Sequence, residues 1–351
     1  MLINERAPAI CSLALAILTL TYSSSFAATQ TVTDQVQPTY KYRGSELKEA
    51  FDQPVLSCRD LCTELTAGYA HGVDSNPLLD STHKADNYDQ ETLDMRFEYD
   101  LPDNKFGELN SRFGIDVLNI MYYRINDVNV FDGTADINFD QQIGKDFTLS
   151  AGYVFETLWY PYDTTGTFFG NEFNVGFKQD LTDRVYHRAS YRLQLRNYLD
   201  NKVMLGNGLT TSELRFDVRN IFRHEVGVYI SDKTKARFIN EYLKNSSNYQ
   251  FVDFYDYSTY KAGCSVISMF TKKFYGIAGF YYQRRWYESR TVSVGDYFQR
   301  DNLYTVTANL SYDISRNLSI FGNYTHMENH SNEPLEQYVD TLFYGGLNYI
   351  F

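Results

Sequence analysis

The sequence predicts an all-β chain, a single closed antiparallel transmembrane β-barrel of about 14 strands, on three observations. From residue 63 to the end, segments of roughly ten to twenty residues alternate apolar and polar side chains with a period of two, and turn residues separate them. One face of that alternation carries no charge over long stretches, as a surface against lipid requires. The connections alternate between short and long, the layout of a barrel with tight turns at one rim and loops at the other.

Composition sets the bounds. The 351 residues include 31 Tyr and 25 Phe, so 17% are aromatic against 22% charged, and the mean hydropathy is −0.42. Disordered chains are poor in aromatics, and this one is rich in them. No run beyond the N-terminus approaches the ~20 consecutive apolar residues of a spanning helix, which excludes a bundle of membrane helices. The net charge of −12 speaks against non-specific nucleic-acid binding, which depends on clustered Lys and Arg.

The first residues read as an export signal: Arg6 in a short polar start, an apolar run from Ile10 to Leu20, and small residues up to Ser25-Phe26-Ala27. Cleavage after Ala27 is expected, because the apolar run is too short to anchor the chain. The organisation that follows is a signal peptide over 1–27, an N-terminal segment over 28–62 and the barrel over 63–351. Cys11 leaves with the signal, and no Cys directly follows the cleavage site to accept a lipid. Cys58 and Cys62 are too far apart for a C-x-x-C redox motif and lack the His of a haem attachment site. An oxidising exterior would let them form a small structural disulfide. A metal site there is the poorer reading, since no other ligands cluster nearby. Cys264 falls on the expected lipid face as a small apolar residue. Within 28–62, Ser45 caps a candidate amphipathic helix with Leu47 and Phe51 on one side. That segment either plugs the lumen or hangs in the periplasm, where it could meet a periplasmic partner.

The expected strands are 63–75, 90–101, 108–125, 130–143, 147–160, 167–181, 184–199, 211–231, 235–244, 254–271, 274–288, 303–315, 318–328 and 338–351. Short turns fall at Pro102-Asp103-Asn104-Lys105, Gly144-Lys145-Asp146, Thr182-Asp183, Asp232-Lys233-Thr234, Lys272-Lys273 and Ser315-Arg316-Asn317. Longer loops fall at 76–89, 161–166, 200–210, 245–253, 289–302 and 329–337.

Taking every second residue, Leu93 to Leu101, Leu109 to Tyr123, Phe131 to Ile143, Leu149 to Trp159, Phe169 to Leu181, Val185 to Asn197 and Leu214 to Ile230 include no Asp, Glu, Lys or Arg. Arg or Lys at the bilayer midplane of a barrel costs about 2–4 kcal/mol, so this is the face that lipid selects. The opposite face carries Asp94, Arg96, Glu98, Glu108, Arg112, Asp116, Asp132, Asp136, Asp140, Glu172, Arg188, Arg192, Arg196, Arg215 and Arg219. A soluble two-sheet sandwich with one solvated face per sheet is the alternative, but its inward set would be apolar. A closed barrel with a wet interior accommodates both faces. Aromatics at segment ends suit two interfacial girdles: Tyr122, Tyr123, Trp159, Tyr160, Tyr198, Trp286, Tyr287 and Tyr324 on the long-loop side, with Phe106, Phe147 and Phe274 on the short-turn side.

The closing segment sets Phe343, Gly345, Leu347, Tyr349 and Phe351 on one face, and a closing strand with a terminal Phe resembles the assembly signal of bacterial outer-membrane barrels, with Tyr349 and Phe351 as its recognised residues. The stretches Gly68 to Pro77 and Tyr191 to Asp200 are similar to segments of the broad outer-membrane β-barrel families. The resemblance implies a bacterial outer-membrane location, with outer-membrane lipids and the barrel-assembly machinery as partners. Some members of those families carry helical-repeat periplasmic domains and assist surface lipoprotein or polysaccharide export. Here only about 35 residues separate the expected cleavage site from the first strand, too few for a stack of ~34-residue repeats. A plain porin-like barrel is the expectation, and an export or assembly component the alternative.

Fourteen tilted strands make a cylinder roughly 25–30 Å across, leaving about 10–15 Å after side chains unless loops or a plug fill it. Small hydrophilic solutes would pass. The inward charges divide into an acidic arc of Asp94, Glu98, Asp116, Asp132, Asp136 and Asp140, joined by Asp100 and Glu108 with Arg96, Arg112 and Arg124 among them, and a basic arc of Arg188, Arg192, Arg196, Arg215, Arg219 and Arg223. Acid facing base across a lumen would orient dipolar solutes and tune selectivity. The competing expectation is that these charges pair across neighbouring strands, Arg192 or Arg196 with Glu213 or Asp217, and stabilise the wall. His187 and His224 fall on the lipid face near the short-turn side. A rim enzyme is the rival class, with His71, Asp74, His83, His326, Glu328 and His330 near the long-loop rim. No nucleophile, phosphate loop or metal spacing converges there, so no catalytic residue, cofactor or metal is expected.

Overall fold

The computed structural model describes residues 61–80, 84–104, 107–293, 295 and 297–351. The export signal, Cys58 with its expected clip to Cys62, the candidate helix at 44–51, His83 and Phe106 lie outside the described residues. Fourteen strands follow in chain order: β1 (Leu61–Asp74), β2 (Asp86–Asn104), β3 (Gly107–Tyr122), β4 (Val130–Ile143), β5 (Phe147–Trp159), β6 (Phe168–Thr182), β7 (Val185–Met204), β8 (Thr210–Ser231), β9 (Thr234–Ser247), β10 (Tyr257–Met269), β11 (Phe274–Thr291), β12 (Phe298–Asp313), β13 (Leu318–Ser331) and β14 (Tyr338–Ile350). Each pairs antiparallel with its chain neighbours, and β1 pairs with β14 to close the barrel. Closure gives every strand two partners, so no edge is left with unsatisfied backbone groups, the condition for a sheet to lie in lipid.

The chain is an inside-out protein. Val175, Phe222 and Phe343 are 54%, 55% and 59% exposed on the outer face, whereas Arg215 and Asp217 are 1% and 0% exposed inside. Both follow from parity. Odd residues point outward from β1 to β7, and even ones do from β8 to β13, so each tight turn or bulge sets which half of the next strand meets lipid.

Glycines tighten two places. At the closing seam Gly346 lies opposite Ala70, and a Cβ there would sit 2.8 Å from Ala70 Cα and overlap the Tyr69 carbonyl oxygen. Gly227 lies opposite Tyr186, whose ring covers the position a Cβ would occupy.

Several strands extend further than alternation against lipid predicts. β7 runs to Met204 and β12 starts at Phe298, so the expected loops 200–210 and 289–302 contract to 205–209 and 292–297. Above the membrane belt no lipid enforces an apolar outer face, and β7 and β11 pass through register shifts there, which erase the period of two. The opposite error occurs at 123–125 and 254–256. There Asp86 accepts the backbone N–H groups of Arg124 and Ile125 at 2.7 and 2.8 Å, and Asp256 accepts that of Ser247 at 2.6 Å, ending the ladders early.

Candidate functional site

The site is the inner wall, whose two halves differ. On β2 to β6 most inward side chains stay partly exposed, whereas on β7 to β14 many are buried against one another. The acidic arc lies on the wetter half. Asp94 and Asp116 occupy directly opposed positions on β2 and β3. Arg96 Nε donates to Asp94 Oδ1 at 3.2 Å, Thr134 Oγ1 donates to Asp116 at 3.2 Å, and Asn138 Nδ2 donates to Asp136 at 2.6 Å. Lower on the wall, Ser150 Oγ donates to Asp140 at 2.5 Å, and Arg112 stands 3.6 Å from the same carboxylate. Glu98 faces Arg112 across the β2–β3 ladder. Asp132, near the long-loop rim, is 7% exposed. Arg124, expected among the inward charges, instead sits in the loop after β3, its side chain largely exposed and 3.2 Å from Asp86, because the ladder stops at Tyr122. The Asp100 side chain lies outside the described residues.

The basic arc lies on β7 and β8 and splits by depth. Arg196, Arg215 and Arg219 are buried. The Arg196 guanidinium lies 4.2 Å from the Phe168 ring and 3.6 Å from Glu156. Arg219 Nε donates to Asn245 Oδ1 at 2.9 Å. Arg215 is held between Asp217, Tyr198 at 4.1 Å and Tyr255 at 3.2 Å. Arg188, Arg192 and Arg223 keep exposed surface. Arg192 bridges Glu241 at 3.0 Å and Glu172 at 3.7 Å, Arg223 meets Glu225 at 3.1 Å, and Arg188 faces Lys178 and Glu225 in the ladders. Pairing across the wall is therefore extensive: Arg196 faces Asp217 in the β7–β8 ladder, while the ion pairs of Arg192 and Arg196 run to Glu172, Glu241 and Glu156. Sequence spacing names a residue's own neighbours, whereas partners are set by strand order and side-chain reach.

The inner wall is also less uniformly polar than expected. Tyr122, Tyr198 and Tyr287, assigned to the outer girdle, point inward. Tyr122 donates to Asp74 at 2.7 Å, Tyr198 packs with Leu158 and Phe168, and Tyr287 is 5% exposed. Their neighbours Tyr123 and Trp286 take the outward positions, since adjacent residues on a strand cannot share a face. A second inner cluster joins Leu303, Met327 and Tyr338. Both clusters lie at the long-loop rim and narrow it. The loop after β9 adds to this, with Tyr255 on Arg215 and Phe254 3.9 Å from Arg290. Arg290 in turn reaches Glu336 of the loop after β13 at 2.8 Å.

The rim histidines and carboxylates do not converge. His71 points outward and meets Asp89 at 2.9 Å, while Asp74 points inward toward Tyr122. His326 meets Thr341 at 2.9 Å, and His330 meets Glu328 at 3.0 Å. Among the described residues no group of three or more His, Cys, Asp or Glu is placed to hold a metal ion. Cys264 is free and exposed on the outer face. His187 and His224 lie on that face as well, their rings 5.9 Å apart. Tyr349 and Phe351 stack edge to face at 4.9 Å, both exposed, at the foot of β14.

No protein-family model matches the sequence, and no curated protein matches it. Solved structures of bacterial outer-membrane β-barrels do. The chain is similar to the outer-membrane OmpT of Vibrio cholerae at 10% identity and a TM-score of 0.47, over 85% of this chain and 100% of that one. It is similar to an anion-selective porin from Comamonas acidovorans at 10% identity and a TM-score of 0.45, over 83% of this chain and 100% of that one. A Pseudomonas aeruginosa FadL homologue matches at 8% identity and a TM-score of 0.46, over 83% of this chain and 90% of that one.

Proposed function

We propose that the chain is a porin-like channel of the bacterial outer membrane that passes small hydrophilic solutes through a charged lumen. The observation that carries this reading is the inner wall of β2 to β6, where charged side chains remain partly exposed inside a cylinder whose outer face is apolar. Water-accessible charge inside an apolar exterior holds a hydrated path, and charge on its wall selects among ions. The accessible acids Asp94, Glu98, Asp116, Asp136 and Asp140 and the accessible bases Arg188, Arg192 and Arg223 are the residues that would meet a solute. Arg196, Arg215, Arg219 and Asp132 contribute their field from within the wall.

Purified protein in a planar bilayer tests this. Stepwise conductance in potassium chloride is the expected result, and a bilayer that stays silent after verified insertion would refute it.

A further inference from the structure

Charge on the outer face is rare and follows a pattern. Among the described strand residues its carboxylates, lysines and arginines lie toward the long-loop rim, and several have a side-chain partner there: Asp89 with His71 at 2.9 Å, Lys244 with Glu288 at 3.0 Å, and Glu328 with His330 at 3.0 Å. Glu91 accepts a hydrogen bond from Asn119 at 3.2 Å. Arg284 and Arg300 break the pattern. Both are exposed, and among the described residues no carboxylate meets either guanidinium.

The two arginines share one place. Trp286 faces Arg300 and Arg284 faces Asn302 across the β11–β12 ladder, so Arg284 and Arg300 are diagonal neighbours, a relation that spans about 7–8 Å. Together with Tyr260, Trp286 and Phe298 they line a shallow depression of about 590 Å³ on the outside of the barrel. Two like charges at that spacing repel each other, and each lacks a counter-charge at the membrane interface. An anion seated between them removes both costs, and guanidinium forks match phosphate oxygens.

We infer that this depression binds the head group of a membrane lipid carrying a phosphate monoester on a sugar, in the leaflet at the long-loop rim. The inference rests on the outer face being in lipid, as the proposed function requires. A monoester carries about −1.5 to −2 at neutral pH, matching two guanidiniums, whereas the diester of a glycerophospholipid carries a single charge. Trp286 and Tyr260 supply amphipathic rings at the depth where a sugar gives way to acyl chain.

The test uses the full mature chain in lipid nanodiscs, with native mass spectrometry and competition between diphosphorylated lipid A and phosphatidylglycerol. Saturable retention of lipid A is expected, weakened at least about tenfold in R284Q/R300Q and partly in each single variant. K244Q, on the same face but paired, should retain lipid A as the parent does. Heat-modifiable gel mobility verifies that each variant is folded. Equal retention by the parent and R284Q/R300Q overturns the site, and equal preference for phosphatidylglycerol overturns the monoester assignment. A chain that stays soluble and never enters the discs overturns this inference together with the membrane reading, an outcome distinct from entering them and retaining neither lipid.

Discussion

Arg215 and Asp217, two residues apart on the inner face of β8, form an ion pair in which neither side chain has exposed surface. Arg215 Nε donates to Asp217 Oδ1 at 2.9 Å, and the Tyr255 ring covers the guanidinium at 3.2 Å. Tyr198 and Asn245 each donate to the same carboxylate at 3.4 Å. Removing the anion leaves a buried cation facing aromatic rings, so D217A should destabilise the barrel by about 3–5 kcal/mol. R215M/D217L, which removes both charges, should recover much of that. The urea midpoint of the detergent-folded barrel measures both.

The division of the basic arc by depth predicts which arginines tune permeation. R188Q/R192Q removes two charges that keep contact with the lumen, and the zero-current potential in a salt gradient should move toward cation preference. R196Q/R219Q removes two charges sealed behind Phe168 and Asn245 and should move it less. D94N/D136N should move it toward anions. Equal shifts from the two arginine pairs would show that depth does not govern access.

The seam between β1 and β14 depends on Gly346. A valine there would drive its side chain into the Ala70 backbone and the Tyr69 carbonyl, where the neighbouring atoms belong to the ladder and cannot swing aside. Misfit of this kind typically costs about 1–3 kcal/mol or more, and it falls on the strand pair that closes the barrel. G346V should therefore lower the yield of compact, heat-modifiable barrel on refolding, while G322V, whose Cβ position is open, should refold as the parent does.

The barrel was legible in the sequence because lipid is an unforgiving solvent. From Leu93 to Ile230 it removes charge from one parity of every strand, so strand number, strand order and facing can be read residue by residue. What stayed hidden lies where that constraint lapses. Above the belt Tyr198 and Tyr287 turn inward, β7 and β11 shift register, and Phe168, Met327 and Tyr338 build apolar clusters that alternation assigns to neither lipid nor water. The acidic and basic arcs were visible as charges of one parity, but their partners were not. Glu241 reaches Arg192 from β9, about fifty residues along the chain, and spacing on one strand carries no trace of that.

A last test concerns the loops at the long-loop rim, where Glu333 ties the segment after β13 to the one after β11. Ser293 Oγ donates to Glu333 Oε1 at 2.7 Å, and the Ser293 backbone N–H donates to the other oxygen. Burial alone would raise the Glu333 carboxyl, but these donors, with the Leu335 N–H, outweigh it and hold the pKa below its ordinary value of 4.5. A carboxylate with a depressed folded pKa stabilises the tether above its unfolded pKa, and that contribution is lost as pH falls through the folded value. Glu336 acts in the opposite sense, since burial raises its pKa despite Arg290, so the parent's total pH profile mixes the two. The difference between parent and E333Q isolates Glu333. At pH 7 the variant should show faster hydrogen exchange over 292–297 and 332–337, and the gap should narrow only once pH has fallen below 4.5, as the parent's own carboxylate protonates. A gap that stayed constant from pH 7 to pH 3 would mean that shape, not charge, holds these loops together.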